Sequence, residues 1–176
     1  MSRQLRTDTW NDMVHTDRLQ RYYGELAGKL ASREKAMTVA TTVFATLSVV
    51  LAAGRAPAEL SLLAAALTVG ASSLPLVYRL SGVVTSATYC QKRLDDLLVG
   101  WRALWQEIDE LPTREARERW AKLAEEKNGI TALMSSRRVD EKLRDSTEKQ
   151  AYRYWEEQRK NDIARQSETR AALPAI

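Results

Sequence analysis

Two adjacent uncharged stretches constrain the fold of this chain more than any other feature. Residues 36–53 and 60–78 contain no Asp, Glu, Lys, Arg or His, and only residues 54–59 lie between them. Each stretch approaches the ~20 apolar residues that a helix needs to cross the hydrocarbon of a bilayer. The pattern predicts an all-α protein with a two-helix transmembrane hairpin over residues 36–78, closed by a tight turn.

A soluble bundle with two buried helices is the alternative. Both uncharged stretches place Thr, Ser and Ala on one helical face and larger apolar residues on the other. A helix exposed to water normally carries charges on its weaker face, as the other predicted helices of this chain do. Small and hydroxylated faces suit close helix contacts inside a membrane, which favours the membrane-spanning interpretation.

The charged flanks predict the orientation of the hairpin. Basic residues lie on the outer side of both predicted spans: Lys29, Arg33, Lys35, Arg79, Lys92 and Arg93. Because basic flanks tend to stay in the cytoplasm, both termini are predicted to be cytoplasmic. We expect an amphipathic cytoplasmic helix over residues 1–35, the hairpin over 36–78, a cytoplasmic helical domain over 79–165 and a flexible tail over 166–176.

Apolar residues around and after the second span follow the 3-4 spacing of a coiled coil. This seam comprises Leu76, Leu80, Val83, Leu94, Leu97, Trp101, Leu104, Ile108 and Leu111. It predicts a long helix, in a bundle or a coiled coil, that ends at Pro112. The seam is either an interface for homo-oligomerisation or a surface that the chain's own helices cover, and the sequence leaves both alternatives open.

The remaining residues predict further helices. One is expected to begin at Thr113, as its N-cap, and to stop at Asn128-Gly129, because Gly and Asn favour helix ends. One or two more are expected over residues 130–165.

Residue types that carry catalysis or bind metals are scarce. The chain has one histidine, His15, and one cysteine, Cys90. The sequence therefore indicates no catalytic residue, no metal site and no cofactor, and neither a Walker loop nor a G-x-G-x-x-G motif occurs. Interleaved acidic and basic residues predict solvated helix faces rather than a surface for nucleic acid. We expect a protein that is not an enzyme.

Three short stretches within this layout resemble a known family. They are Arg18-Leu19-Gln20-Arg21-Tyr22-Tyr23, Ala87-Thr88-Tyr89-Cys90-Gln91-Lys92-Arg93-Leu94 and Arg138-Val139-Asp140-Glu141-Lys142-Leu143. In this arrangement the chain resembles the SLATT family of bacterial two-span effectors, which accompany nucleotide-second-messenger synthetases in antiviral defence. The resemblance implies an oligomeric effector that permeabilises the bacterial inner membrane during abortive infection. The partners that it implies are the lipid bilayer, other copies of the chain, and a nucleotide second messenger or a cognate defence sensor protein.

An assembly of copies around an axis would turn its polar faces inward, because polar groups are costly in hydrocarbon. The pore-facing candidates are then Thr38, Thr42, Ser61, Thr68, Ser72 and Arg79. Arg79 is interpreted either as an anchor to lipid phosphate or as a ring of positive charge at a pore mouth. The alternative function is a non-enzymatic membrane scaffold that docks a cytosolic partner through residues 113–165.

Overall fold

A computed structural model of the chain describes residues 3–54, 57–78, 80–135 and 139–171. Side chains are described within these ranges except at positions 61, 71, 74–78, 80, 159 and 161–171. The described residues form helices and no strand: α1 (Arg3–Ala53), α2 (Ala58–Tyr78), α3 (Leu80–Glu107), α4 (Thr113–Ala132) and α5 (Glu141–Ala171). The predicted all-α class is therefore confirmed.

Helix α1 joins the charged N-terminal segment to the first uncharged stretch without a break. It has 51 residues and is about 75 Å long at the usual rise of 1.5 Å per residue. No proline occurs within it, so its hydrogen-bond ladder keeps every backbone donor. It ends at Ala53, after which Gly54 donates its N–H to the Val50 carbonyl at 2.9 Å.

The described residues group into two compact units. Residues 24–89 form one of them, called here the apolar unit, and residues from 1–23 and 90–176 form the other, called the charged unit. The predicted boundaries were 35/36 and 78/79. The observed division groups about three helical turns of each flank with the uncharged stretches. It also groups the N-terminal part of α1 with the C-terminal helices.

The seam supplies much of the core of the charged unit. Its positions from Leu94 to Ile108 are at most 3% exposed. Ile108 packs with Leu5 and Ala116, and the half-buried Leu111 joins the same cluster. These side chains are thus covered within one copy of the chain, which is the second of the two alternatives that the sequence leaves open.

The other seam positions lie in the apolar unit. Val83 is buried there, and the side chains of Leu76 and Leu80 lie outside the described residues.

The ends of α3 and α4 differ from the predicted ones. Helix α3 ends at Glu107, so Ile108 and Leu111 follow it in a turn, where the Leu111 N–H donates to the Glu107 carbonyl at 3.1 Å. Helix α4 begins at Thr113, but its N-cap is Pro112, and no side chain caps it. It also continues past Asn128-Gly129 to Ala132, because the burial of Ile130 outweighs the weak helix preference of these residues.

Helix α5 begins later and ends later than predicted. The segment 133–135 is a turn, and α5 starts at Glu141 after Asp140, whose carboxylate accepts the Leu143 N–H at 3.2 Å. This is N-cap geometry, which satisfies a donor that the first helical turn leaves without a partner. The helix then continues to Ala171, through part of the predicted tail.

Two glycines inside helices of the charged unit give a matched test of this packing. A methyl group at Gly129 would meet nothing within 4 Å, whereas at Gly100 it would lie 2.9 Å from Leu123 Cδ2. We expect Gly129→Ala to stabilise the chain by about 0.5–1 kcal/mol, since glycine is costly within a helix. Gly100→Ala should lose that gain to steric overlap. Thermal unfolding in detergent measures both, and a larger gain for Gly100→Ala would contradict the packing of α3 against α4.

Candidate membrane-spanning region

The apolar unit exposes large hydrophobic side chains along two helices. Ten Val and Leu side chains between positions 39 and 69 are 44–69% exposed: Val39, Val43, Leu47, Val49, Val50, Leu60, Leu62, Leu63, Leu67 and Val69. Soluble monomers rarely expose contiguous apolar patches larger than a few hundred Å². This surface therefore needs a cover other than water.

One described helix, α1, is long and apolar enough to cross a membrane. None of its apolar window of 18 residues is buried within the chain. In α2 the apolar stretch Ala58–Gly70 is shorter. The two-span hairpin predicted from the sequence thus has one span of sufficient length among the described residues.

Helix α2 has few contacts within the chain. Among its described side chains only Ala64 is buried and only Thr68 is half-buried. Apart from Glu59, its other described side chains are apolar or small, and they are exposed. The described side chains of α2 are therefore less covered than those of a core helix, which is buried on most sides.

The less exposed side of α1 in the apolar unit differs from the polar face that the sequence suggested. Within residues 36–53 its half-buried residues recur at three- and four-residue steps: Met37, Ala40, Thr41, Phe44, Ala45, Ser48 and Leu51. The sequence analysis instead placed hydroxyl and small residues together on one face. The contact face of α1 therefore mixes both residue classes, because helix packing follows shape and spacing as well as polarity.

Every described hydroxyl among the pore-facing candidates bonds to a carbonyl of its own helix. Thr38 donates to Glu34 at 3.0 Å, Thr42 to Thr38 at 3.0 Å, Thr68 to Ala64 at 2.9 Å and Ser72 to Val69 at 3.0 Å. This local bonding satisfies the hydroxyl donor without any other partner. These side chains can consequently face lipid, protein or water at little cost.

The candidates differ in exposure. Thr38, Thr42 and Ser72 are exposed on the single chain, whereas Thr68 is half-buried within it. Arg79 and the side chain of Ser61 lie outside the described residues.

In the charged unit, the carboxylate of Asp12 joins α1 to α4. It accepts the indole N–H of Trp120 at 3.0 Å and a hydrogen bond from the Lys127 ammonium. Lys127 is itself buried, and a buried ammonium is retained at low cost only when it is paired and hydrogen-bonded. Asp12 and Lys127 therefore fix the register of α1 against α4.

Asp17 joins α1 to α5 in the same way. Its side chain is 4% exposed, and Oδ2 accepts the indole N–H of Trp155 at 3.2 Å and the Arg21 Nε–H at 2.9 Å. The next residue, Arg18, pairs with Glu148 of α5 at 3.0 Å. Three helices of the charged unit are thus tied together through acidic and basic side chains of α1.

Sequence reasoning missed these carboxylates because it assigned acidic residues of mixed-charge helices to solvated faces. The buried face of α1 also passes through Thr9 and Thr16, both fully buried. Their hydroxyls donate to the carbonyls of Leu5 and Asp12 at 2.8 and 2.7 Å. A search for apolar periodicity skips such threonines. The i, i+4 and i, i+7 spacing of Leu5, Thr9 and Thr16 is the signal that was available in the sequence.

His15 lies between Asp12 and Asp17 in the sequence and is half-buried. Burial lowers the pKa of its imidazole, and the nearby Lys127 and Arg18 lower it further, against a smaller opposite effect of Asp12 and Glu148. No group of three or more His, Cys, Asp or Glu side chains that could hold a metal occurs among the described residues. The histidine is a neutral packing residue of the charged unit at physiological pH.

Comparisons with protein-family models, with curated proteins and with solved structures found no match to this chain.

The lowered pKa of His15 makes the stability of the charged unit depend on pH. The folded state favours neutral imidazole, so this contribution is fully present above the unfolded-state pKa of about 6.5. It is lost as the pH falls through the lower folded-state pKa. We expect His15→Gln to melt with a smaller loss of Tm than the natural chain between about pH 7 and pH 5. Equal losses in the two proteins would contradict the assignment.

Proposed function

We propose that the chain is an integral membrane protein in which α1 and α2 form a transmembrane hairpin over residues 36–78. The observation that carries this proposal is the exposure of ten large apolar side chains between positions 39 and 69. Lipid covers such a surface as well as a protein core does, because hydrocarbon is as apolar as leucine. The uncharged part of α1, residues 36–53, is about 27 Å long and α2 about 30 Å, close to the ~30 Å of bilayer hydrocarbon.

The hydroxyl groups of the hairpin are compatible with lipid. Thr41, Thr46 and Ser48 each donate to a carbonyl four residues earlier, at 2.8–2.9 Å. In hydrocarbon an unsatisfied polar group costs several kcal/mol, and this pattern avoids that cost. The basic residues Lys29, Arg33 and Lys35 on one flank, and Lys92 and Arg93 on the other, support cytoplasmic termini.

Labelling of single cysteines tests the hairpin. In a Cys90→Ala background, Ala56→Cys should react with a membrane-impermeant maleimide in intact cells, and Ser167→Cys should react only after the membrane is opened. Cys90 itself should react slowly with maleimide, because it is buried and burial raises the pKa of its thiol, and Cys90→Ala removes this background. Labelling of both cysteines from the same side would exclude the hairpin. Recovery of the protein in the soluble fraction without detergent would exclude membrane insertion altogether.

We further propose that copies of this hairpin assemble and permeabilise the bacterial inner membrane, the activity that the resemblance to SLATT effectors implies. The support from the structure is the exposure of α2, which has a narrow contact with its own chain and leaves wide faces for neighbours. Assembly is placed on the apolar unit rather than on the seam, because the seam from Leu94 to Ile108 is covered within one copy. The activating partner would be a nucleotide second messenger or a cognate defence sensor protein.

A membrane scaffold remains the second candidate function. The observation in its favour is a set of exposed apolar side chains in the C-terminal helical region: Leu133, Val139 and Tyr152 are 48–57% exposed. A cytosolic partner docking there would cover them. A scaffold would leave the membrane barrier intact.

Dye entry on strong expression in bacteria separates the two functions. An effector admits a membrane-impermeant dye and arrests growth when its activator is present, and a scaffold does neither. If the exposed hydroxyl face lines the conducting path, Thr42→Trp should abolish dye entry while membrane insertion and assembly persist. Val43→Trp is the matched control. Val43 is also exposed on the apolar unit, at 56%, but it lies 100° around the helix from Thr42. Full dye entry with Thr42→Trp would remove Thr42 from the lining.

A further inference from the structure

An aromatic cleft in the charged unit has no role in membrane insertion. It measures about 220 Å³ and lies between α1, α3 and α5. Its walls include three of the five tryptophans of the chain, Trp10, Trp105 and Trp155, together with Arg102, Gln106 and Gln158. The lining thus combines flat aromatic side chains with the polar groups of an arginine and two glutamines.

The aromatic walls hold one another in fixed orientations. The Trp10 ring lies 5.3 Å from that of Trp105 and 5.4 Å from that of Trp155, tilted by 53° and 78°. The Trp155 indole is also held from behind by Asp17, whose carboxylate accepts its N–H at 3.2 Å. Such preorganisation lowers the ordering cost that a ligand would meet on binding.

Charge decides which class of ligand fits. Aromatic walls alone suit either a quaternary ammonium group or another flat ring. Two guanidinium groups already lie over the rings, where a cationic ligand would have to bind. Arg6 lies 4.7 Å from the Trp105 ring centre, and Arg102 lies 5.6 Å from that of Trp155. Among the described side chains, none that lines the cleft is acidic. A cationic ligand would therefore be repelled.

Arg102 is the cation available to a ligand. Arg6 is paired with Asp109, and Arg21, which lies over the ring of Tyr154, is paired with Asp17. Arg102 forms no ion pair with a carboxylate of the described residues, and it is exposed. Its distance to the Trp155 ring is near the ~6 Å limit of cation–π attraction, so little holds it there. A carboxylate or phosphate would bind it through charge-assisted hydrogen bonds.

We propose that this cleft binds a flat aromatic ring that carries an anionic group. The ring packs against the half-buried indoles of Trp10 and Trp105, the amides of Gln106 and Gln158 bond to its edge, and Arg102 binds the carboxylate or phosphate. The volume lies below the ~300 Å³ of sites for drug-sized ligands, which limits the ring system to one or two fused rings. The inference is independent of the membrane proposal, because every residue involved belongs to the charged unit.

Binding of two matched pairs of probes to the full chain in detergent tests the proposal. Adenosine monophosphate is compared with adenosine, and nicotinate with nicotinamide, by titration calorimetry and tryptophan fluorescence. The anionic member of at least one pair should bind about tenfold more tightly than its neutral counterpart, the effect of one charge-assisted interaction. Preference for the phosphate or for the carboxylate identifies the kind of ligand.

Two variants separate the cleft from the rest of the surface. Arg102→Gln should remove the difference between the charged and the neutral probe while the melting temperature stays unchanged. Arg114→Gln, on the exposed side of α4 with its side chain 92% exposed, should keep that difference. Equal binding of both members of each pair, no binding of any of the four probes to the folded chain, or the same loss in both variants would overturn the proposal.

Discussion

Two carboxylates of α1, the half-buried Asp12 and the buried Asp17, organise the charged unit. Asp12 and Asp17 each accept an indole N–H from another helix and each pair with a cation, Lys127 or Arg21. A carboxylate withdrawn from water is stable only when its charge is paired and its oxygens are hydrogen-bonded. Removing Asp12 would take this partner from the buried Lys127 and the Trp120 indole N–H. Removing Asp17 would take it from the half-buried Arg21 and the Trp155 indole N–H. The directional bonds of this pair specify which helices meet α1 and in which register, which apolar packing alone does less sharply.

The apolar unit, in contrast, has no paired charges that join its two uncharged stretches. Its surface has long apolar side chains and no charge between residues 36–53 and 60–78, so its stability depends on a solvent that does not penalise apolar area. In water the exposed valines and leucines of α1 and α2 would drive aggregation. The same chain therefore holds one unit with a buried core and another whose described apolar side chains are largely exposed. Helices α1 and α3 each contribute residues to both.

The sequence pattern predicted the helices better than it predicted the contacts between them. The all-α class and the location of the seam followed from period and from the absence of strand patterns, and the seam residues Leu94, Trp101 and Ile108 are indeed buried. The ends of α4 and α5 did not follow, because the burial of Ile130 and the N-cap at Asp140 are tertiary and local effects that override propensity. Asp12 and Asp17 were assigned to solvent, since only the fold shows which charges of a mixed helix lose water. The aromatic cleft combines residues at least fifty positions apart (Trp10, Trp105 and Trp155), and no local pattern brings these together.

The hydroxyl groups show why polarity alone does not identify a pore. Thr9 and Thr16 in the core of the charged unit bond to carbonyls of their own helix, as do the exposed Thr38 and Thr42 in the apolar unit. A threonine bonded in this way satisfies its hydroxyl donor within its own helix, whether lipid, protein or water surrounds it. The argument that hydroxyl faces must turn toward water in a membrane therefore loses much of its weight for these positions. What remains is geometry: Thr42 and Ser72 are exposed on the single chain and Thr68 is partly covered by it. In the proposed assembly the exposed pair would meet lipid, another copy or a water-filled path according to how the copies pack, so assembly and permeation of each variant must be measured together.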